Sequence, residues 1–186
     1  MRKRIRDVLS CMVPLGMALC ATAAHAQAFE VTSASYKDGG VISKKQAGTA
    51  AECGGGEGLS PQVSWHNLPA GTQSVAVLMF DPDGQKGLGV SHWVAYNIDA
   101  QRGSLKEGEG KASAKGVTVG KNIAGEETYR GLCAPAGDNP HHYGVTVIAT
   151  TLAPDALPAG LSRDELLQKL KGHALGGQSI VGRYGQ

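Results

Sequence analysis

Short apolar runs separated by turn-forming residues dominate the chain beyond residue 27 and predict a mainly β protein. The run at 74–80 lacks polar alternation, which is typical of a strand buried on both faces. Two stretches rich in Gly, Pro, Asp and Asn, 53–61 and 131–140, are predicted to be loops. The apolar runs predict five strands: 31–36, 63–65, 74–80, 92–98 and 143–151.

One segment near the C-terminus has a helical pattern instead. Ser162 and Glu165 have the spacing of a capping box, and Gly172 supplies a stop. The apolar face between them consists of Leu166, Leu167 and Leu170. The pattern predicts one amphipathic helix over 162–173. Because no repeat, low-complexity run or linker interrupts the pattern, residues 27–186 are predicted to form a single domain.

The first 26 residues have a different pattern, which predicts a cleaved secretory signal peptide. Four basic residues precede an uncharged, mostly apolar stretch over 8–24, and the small-x-small triplet at 24–26 ends it. That stretch is too short to favour a permanent membrane span. A lipid anchor at Cys20 is not favoured, because Leu19 stands where a small residue is needed. We therefore expect a periplasmic or secreted protein, not anchored to the membrane, that begins at Gln27.

Removal of the signal changes the charge balance. The whole chain carries 18 basic and 16 acidic residues. Residues 1–26 contain four of the basic residues and one of the acidic residues, so the remaining chain carries 14 basic and 15 acidic residues. The remaining Lys and Arg residues are scattered singly, without the basic patch and interleaved aromatics that nucleic-acid binding needs. Nucleic acid and charged membrane surfaces are therefore not predicted as partners.

Two of the four cysteines also lie in the signal, which leaves Cys53 and Cys133. Two thiols in an oxidising compartment favour one disulfide. The alternative is two buried free cysteines that pack as small hydrophobic residues.

A candidate site arises where three predicted strands begin or end. Asp81 ends one strand and His92 begins the next, so antiparallel pairing would place both at one edge. His141 and Tyr143 lie two residues apart and share a face, whereas His142 points away. One carboxylate, two imidazoles and a phenol would bind a small oxyanion, with Asp81 orienting an imidazole. We expect anion affinity to fall as the pH rises, since a neutral ring loses one donor. The plainer interpretation is that these are locally hydrogen-bonded strand-end residues in a turn.

Three other functions are alternatives to anion binding. A weak hydrolase could use Asp81, His92 and His141, but no nucleophile motif occurs and Cys133 is better explained as a disulfide partner, so no enzyme activity is predicted. The same three residues, two histidines and one carboxylate, are the ligand types of a facial-triad metal site. No metal and no cofactor are predicted, because the matching residue types do not establish the metal-ligand geometry. The third is a protein-interaction module with a vestigial pocket, in which the loops 83–89 and 131–140 contact a partner.

Four ordered blocks resemble the phosphatidylethanolamine-binding protein family, in particular its bacterial, Raf-kinase-inhibitor-like branch. They are DPD at 81–83, SHWVAYN at 91–97, GLCAP at 131–135 and HHY at 141–143. The resemblance covers nearly the whole of 27–186 and implies an antiparallel β-sandwich with a few short helices. It also implies that Asp81, His92, His141 and Tyr143 line an anion site whose wall is the backbone from Gly131 to Pro135. Ligands known in the family are phosphate, acetate and the phosphoethanolamine head group, and some members inhibit kinases or proteases by protein contact.

The chain departs from the family pattern at three positions. Gln85, Leu132 and Ala134 stand where many members have proline. Proline fixes the backbone angle φ, so its loss predicts a looser pocket rim and a less rigid wall.

Overall fold

A computed structural model describes residues 27–186 of the 186-residue chain. The predicted signal peptide and its cleavage site lie outside the described residues. Residues 27–186 contain eight strands: β1 Glu30–Thr32, β2 Val63–His66, β3 Ser74–Asp81, β4 Val90–Asp99, β5 Ser104–Leu105, β6 Thr118–Val119, β7 His141–Thr150 and β8 Ala174–Tyr184. The same range contains two short α segments, α1 Gly84–Gly87 and α2 Arg163–Leu170, with 3₁₀ turns at Lys44–Gln46, Ala51–Cys53, Ala100–Arg102 and Glu109–Lys111.

The strands form two antiparallel sheets, of orders β1-β2-β5 and β6-β4-β3-β7-β8. The main core contains residues of both sheets, among them Trp65, Met79 and Trp93. A second apolar cluster joins Leu166 and Leu170 of α2 to the opposite faces of β3 and β4. β3 is therefore buried on both faces, which explains its uninterrupted apolar sequence.

The predicted fold class, a mainly β antiparallel sandwich with few helices, is confirmed. The capping box of α2 is present, because the Ser162 hydroxyl accepts from the Glu165 amide and the Glu165 carboxylate accepts from the Ser162 amide. The helix ends at Leu170, earlier than the predicted His173. No helix within 27–186 is long and apolar enough to cross a membrane.

The predicted strand 31–36 is much shorter in the structure, ending at Thr32. The strand does not extend beyond Thr32, because the Ser33 hydroxyl donates to the Gln62 carbonyl oxygen, at 2.6 Å, and accepts from the Ser35 amide. Such local side-chain bonds compete with the strand ladder.

The sequence patterns missed the longest strand, β8, which has 11 residues. It carries Gly176 and Gly177 and lies mostly exposed, so it lacks the apolar alternation that identifies a strand. Its conformation comes from ten paired positions along β7. The predicted loops 53–61 and 131–140 contain no strand or α-helix.

Candidate functional site

Antiparallel pairing brings the ends of three neighbouring strands to one edge of the larger sheet. β3 lies between β4 and β7, so the end of β3 meets the beginnings of both. Asp81, His92 and His141 occupy these ends and line one cavity of about 490 Å³. We call it the site cavity; its other lining residues are Asp83, Gly84, Gln85, Lys86, Val90, Ile123, Arg130, Cys133, Pro135 and Asp138.

The Asp81 carboxylate is buried and hydrogen-bonded through both oxygens. Oδ1 accepts from the amides of Asp83, at 2.8 Å, and Gly84, at 3.1 Å. Oδ2 accepts from His141 Nδ1 at 2.8 Å and lies 3.9 Å from His92 Nε2. Burial acts to raise the pKa of Asp81, but the nearby His92 ring and the hydrogen bonds from His141 and the Asp83 amide outweigh burial and lower that pKa below its usual value. Asp81 is therefore a fixed negative charge that orients the His141 ring.

Both imidazoles are anchored through Nδ1. His92 Nδ1 donates to the Arg130 carbonyl oxygen at 2.9 Å, and His141 Nδ1 donates to Asp81. Since the proton of each neutral ring sits on Nδ1, each Nε2 is then a hydrogen-bond acceptor. Protonation converts Nε2 into a donor and gives the ring a positive charge. Protonated rings would thus present two donors to an anion, and the same Asp–His pair has the arrangement of a general base.

Tyr143 does not line the site cavity, contrary to the prediction from the sequence. It shares the face of His141, as the strand alternation required, but lies one layer deeper and is fully buried. Its ring packs edge-on to His92, with centroids 5.3 Å apart, and stacks on His141 at 6.3 Å. Burial, together with the charge of Asp81, raises the pKa of its phenol, which stays protonated. Tyr143 supports the two imidazoles from behind.

Gly131 also faces away from the site cavity, whereas Pro135 of the same wall lines it. A side chain at 131 would collide with the backbone of Gly48, so glycine permits the close approach of the two segments. The prediction that the whole wall contributes is therefore corrected at Gly131.

The wall is fastened without the prolines at 132 and 134. The Leu132 amide donates to the Gln46 carbonyl oxygen at 3.1 Å, and the Gly48 amide donates to the Leu132 carbonyl oxygen at 2.9 Å. Proline at 132 would lack this donor. The predicted disulfide between Cys53 and Cys133 is present, with Cα atoms 4.3 Å apart. A backbone bridge and a covalent bond thus hold the wall in the absence of these prolines.

The rim opposite the wall contains two successive residues in the left-handed region, Gln85 at φ 50° and Lys86 at φ 60°. Proline requires φ near −65°, so this backbone excludes the proline that many members have at 85. Left-handed backbone in a residue other than glycine is strained and is common at binding sites.

Several lining residues were missed by the sequence reasoning. Arg130 brings a guanidinium that lies 3.8 Å from Glu126 and is half exposed, and Asp138 lies 4.0 Å from His141 Nε2. Arg130 directly precedes the predicted wall 131–135 and Asp138 lies in the predicted loop 131–140, so sequence proximity was the available indication. Ile123 lies on a separate turn of the chain, and no motif marks it.

Two chemical alternatives can be compared with this geometry. Within 27–186, no group of three His, Cys, Asp or Glu residues is arranged to hold a metal ion. Cys133 lines the site cavity but is bonded to Cys53, so it presents no thiolate while the disulfide is intact.

Comparisons with known proteins give a consistent result. A family model described as "Phosphatidylethanolamine-binding protein" matches residues 32–185. A UPF0098 protein of Aquifex aeolicus is 35% identical over 156 residues, which cover 83% of this chain and 87% of that protein. The crystal structure of Escherichia coli YbcL, described as a new member of the mammalian PEBP family, has a TM-score of 0.78 at 30% identity and covers 85% of this chain and 98% of its own. A putative lipoprotein, LppC of Mycobacterium tuberculosis, is 33% identical over 129 residues, or 69% of this chain and 61% of its own.

Proposed function

The chain belongs to the phosphatidylethanolamine-binding protein family, and from that premise we propose that it is an exported binding protein for a small phosphate monoester such as phosphoethanolamine. The observation that carries the proposal is the Asp81–His141 pair, joined at 2.8 Å beside His92 at the base of the site cavity. Asp81 fixes the His141 ring and the Arg130 carbonyl oxygen fixes the His92 ring, and both rings bind the anionic group when protonated.

The charges around the site cavity favour a zwitterion over a simple anion. Arg130 and Lys86 are positive, whereas Asp83 and Asp138 are negative, and all four line the cavity. A phosphate near the imidazoles and Arg130 leaves an ammonium group free to contact one of these carboxylates. The cavity, at about 490 Å³, is also far larger than inorganic phosphate requires and lies in the usual range for small-molecule sites.

Export is supported by three independent features. The first 26 residues have the order of a signal peptide. The Cys53–Cys133 disulfide is a bond typical of oxidising compartments. The related LppC is named a lipoprotein, which is a class of exported protein. We propose a periplasmic location for the protein after cleavage.

The proposal is tested by NMR titration of the histidine rings with phosphoethanolamine, phosphate, acetate and sulfate at about pH 6 and about pH 8. We expect the His92 and His141 resonances to shift and those of His66, which is exposed, to stay. Sulfate keeps its charge across this range, so its affinity reports the protein's protons alone. It should fall from about pH 6 to about pH 8, because a ring that loses its second proton no longer donates from Nε2.

Matched variants separate the site from the rest of the surface. His92→Ala and His141→Ala should each weaken phosphoethanolamine binding by about tenfold or more, the usual value of a hydrogen bond to a charged group, whereas His66→Ala should leave it unchanged. Wild-type affinity in both site variants would refute the proposal. Release of inorganic phosphate, visible in ³¹P spectra of the same samples, would identify an enzyme instead.

A further inference from the structure

A second cavity lies on the opposite face of the same sheet edge and differs from the site cavity in its chemistry. Its volume is about 420 Å³, and we call it the side cavity. Along β4, His92 faces the site cavity whereas its neighbour Ser91 lines the side cavity, as strand alternation requires. None of its lining residues within 27–186 is a histidine. The other lining residues are Phe80, Leu88, Gly89, Lys121, Asn122, Ile123, Gly125, Ser162, Arg163 and Asp164.

The charged residues that line the side cavity leave a positive surplus. Lys121 and Arg163 are cations, and Asp164 is the one carboxylate among the lining residues. The Asp164 side chain is 88% exposed and already accepts from Arg163 Nη1 at 3.1 Å. The first residues of α2 also line the cavity, and the amides at a helix N-terminus carry partial positive charge. This surplus suits the single negative charge of a carboxylate better than the double charge of a phosphate monoester.

Two buried donors of the side cavity have no acceptor. Ser91 is 8% exposed, and its hydroxyl has no hydrogen-bond partner among the described residues; the same is true of Arg163 Nε. Buried polar atoms of this kind are rare in folded proteins. Neither atom contacts solvent, so a ligand engages them when the Arg163 side chain, which is 33% exposed, turns its Nε edge toward the cavity. That edge of a guanidinium is a fork that donates to both oxygens of a carboxylate.

Apolar side chains surround these donors. Phe80 is the register partner of Ser91, and the Arg163 guanidinium stacks on its ring at 4.5 Å. Leu88, 85% exposed, and Ile123, 44% exposed, also line the cavity. Hydrogen bonds to an ion are stronger in surroundings of low dielectric constant.

We propose that the side cavity is a second anion site, which binds a carboxylate group through the Arg163 fork, the Ser91 hydroxyl and the Lys121 ammonium group. The inference does not depend on the proposed function, because these donors are two cations and a hydroxyl, whereas the site cavity needs protonated imidazoles. Leu88 and Ile123 provide contacts for one apolar side chain attached to that carboxylate, as at the C-terminus of a peptide.

The second site should bind independently of pH where the first does not. The ionisable groups in and beside the side cavity are of kinds that keep their charge between about pH 6 and about pH 8. They are Lys121, Arg163, Asp164, Glu126 on Asn122, Glu127 near Lys121 and Glu165 on Ser162. Carboxylate affinity at the side cavity should therefore stay constant over this range, whereas anion affinity at the site cavity falls.

NMR titration with acetate, N-acetyl-leucine and the amide of N-acetyl-leucine tests the proposal at both pH values. The Arg163 Nε–H and the methyl resonances of Leu88 and Ile123 report the side cavity, and the rings of His92 and His141 report the site cavity. We expect acetate and N-acetyl-leucine to shift the Arg163 resonance, and N-acetyl-leucine to shift the methyl resonances as well. The amide, which has no charge, should not bind. Tighter binding of N-acetyl-leucine than of acetate would identify a peptide C-terminus as the source, and equal binding a small carboxylate.

Matched variants assign the binding to named donors. Arg163→Lys keeps the charge but loses the fork, so it should weaken carboxylate binding by about tenfold or more. Ser91→Ala should weaken it by about two- to tenfold without lowering the unfolding free energy of the free protein, because it removes a buried hydroxyl that has no partner. Lys121→Gln should cost about two- to fivefold. Lys169→Gln removes an exposed charge of α2 that lines neither cavity, and should behave as wild type.

The two proposals fail separately. Wild-type carboxylate affinity in both Arg163→Lys and Ser91→Ala would overturn the second site. Equal binding of N-acetyl-leucine and its amide would overturn the carboxylate as the recognised group. Affinity that falls with rising pH, together with shifts confined to His92 and His141, would place the carboxylate in the site cavity instead. Shifts at Arg163 without any response of the histidines to phosphoethanolamine would support the second site and refute the proposed function.

Discussion

The structure contains two aspartate–histidine pairs of almost equal length in very different surroundings. Asp81 contacts His141 at 2.8 Å, and Asp83 contacts His142 at 2.9 Å. The side chains of the first pair are 3% and 11% exposed, whereas those of the second are 43% and 50% exposed. The histidines are consecutive on β7, so alternation sends them to opposite sides. We call them the inner pair and the outer pair.

The comparison shows that the contact distance does not determine what a pair does. Around the outer pair, water competes for every hydrogen bond and screens the charges, so the interaction contributes little. The inner Asp81 is enclosed and must satisfy its lone pairs with protein donors. The inner pair therefore fixes a ring at the site cavity, while the outer pair fastens the rim loop, since Asp83 also accepts from the His142 amide at 2.7 Å.

The largest expected effect comes from removing the covalent fastening beside the inner pair. The disulfide closes a separation of 80 residues, so the double variant Cys53→Ala/Cys133→Ala should lose roughly 4 kcal/mol of unfolding free energy. Because Cys133 lines the site cavity, the ring resonances of His141 should move and those of His142 should stay. Urea unfolding and NMR spectra measure both. A loss below about 1 kcal/mol would contradict the role of the disulfide in stability.

The second-largest effect is expected from removing the carboxylate of the inner pair, compared with removing that of the outer pair. Asp81→Ala leaves the His141 ring and two amides without their buried partner, so we expect a loss of about 3 kcal/mol of unfolding free energy. Asp83→Ala, the matched control at the exposed pair, should cost less than about 1 kcal/mol. Urea unfolding at pH 7 gives both values. Equal losses would show that burial does not separate the two pairs.

Much of this architecture was predictable from local pattern. The apolar run of β3, the capping box of α2 and the alternation of His141, His142 and Tyr143 each depend on neighbouring residues alone. Pairing of neighbouring strands then placed Asp81, His92 and His141 at one edge. What a residue touches beyond its own strand was not predictable in this way. Whether Tyr143 reaches the cavity or lies behind it depends on the depth of the layer, which sequence alternation does not encode.

The parts that were missed depend on distant partners. β8 is a strand because β7 pairs with it, although its own glycines favour no such structure. Ile123 reaches the site through a turn in which its amide donates to the Ser91 carbonyl oxygen. The left-handed turn at Gln85 and Lys86 follows from the closure of the rim loop against β7. Such features arise from tertiary contacts and leave no local motif.

The smallest and most specific effect is the acid dependence of the inner pair. Hydrogen bonds to Asp81 lower its folded pKa below the value of about 3.9 expected for the unfolded chain. A carboxyl with a lowered folded pKa contributes stability above the unfolded value, and loses it as the pH falls through the folded value. We therefore expect the stability difference between wild type and Asp81→Asn, measured by urea unfolding, to shrink steadily between about pH 5 and about pH 2.5. Asp83→Asn should show a flatter profile, because solvent screens the outer pair even though hydrogen bonds from the His142 amide and ring also lower the pKa of Asp83. If the Asp81→Asn difference instead stayed constant down to pH 2.5, Asp81 would not carry the fixed charge on which the orientation of His141 depends.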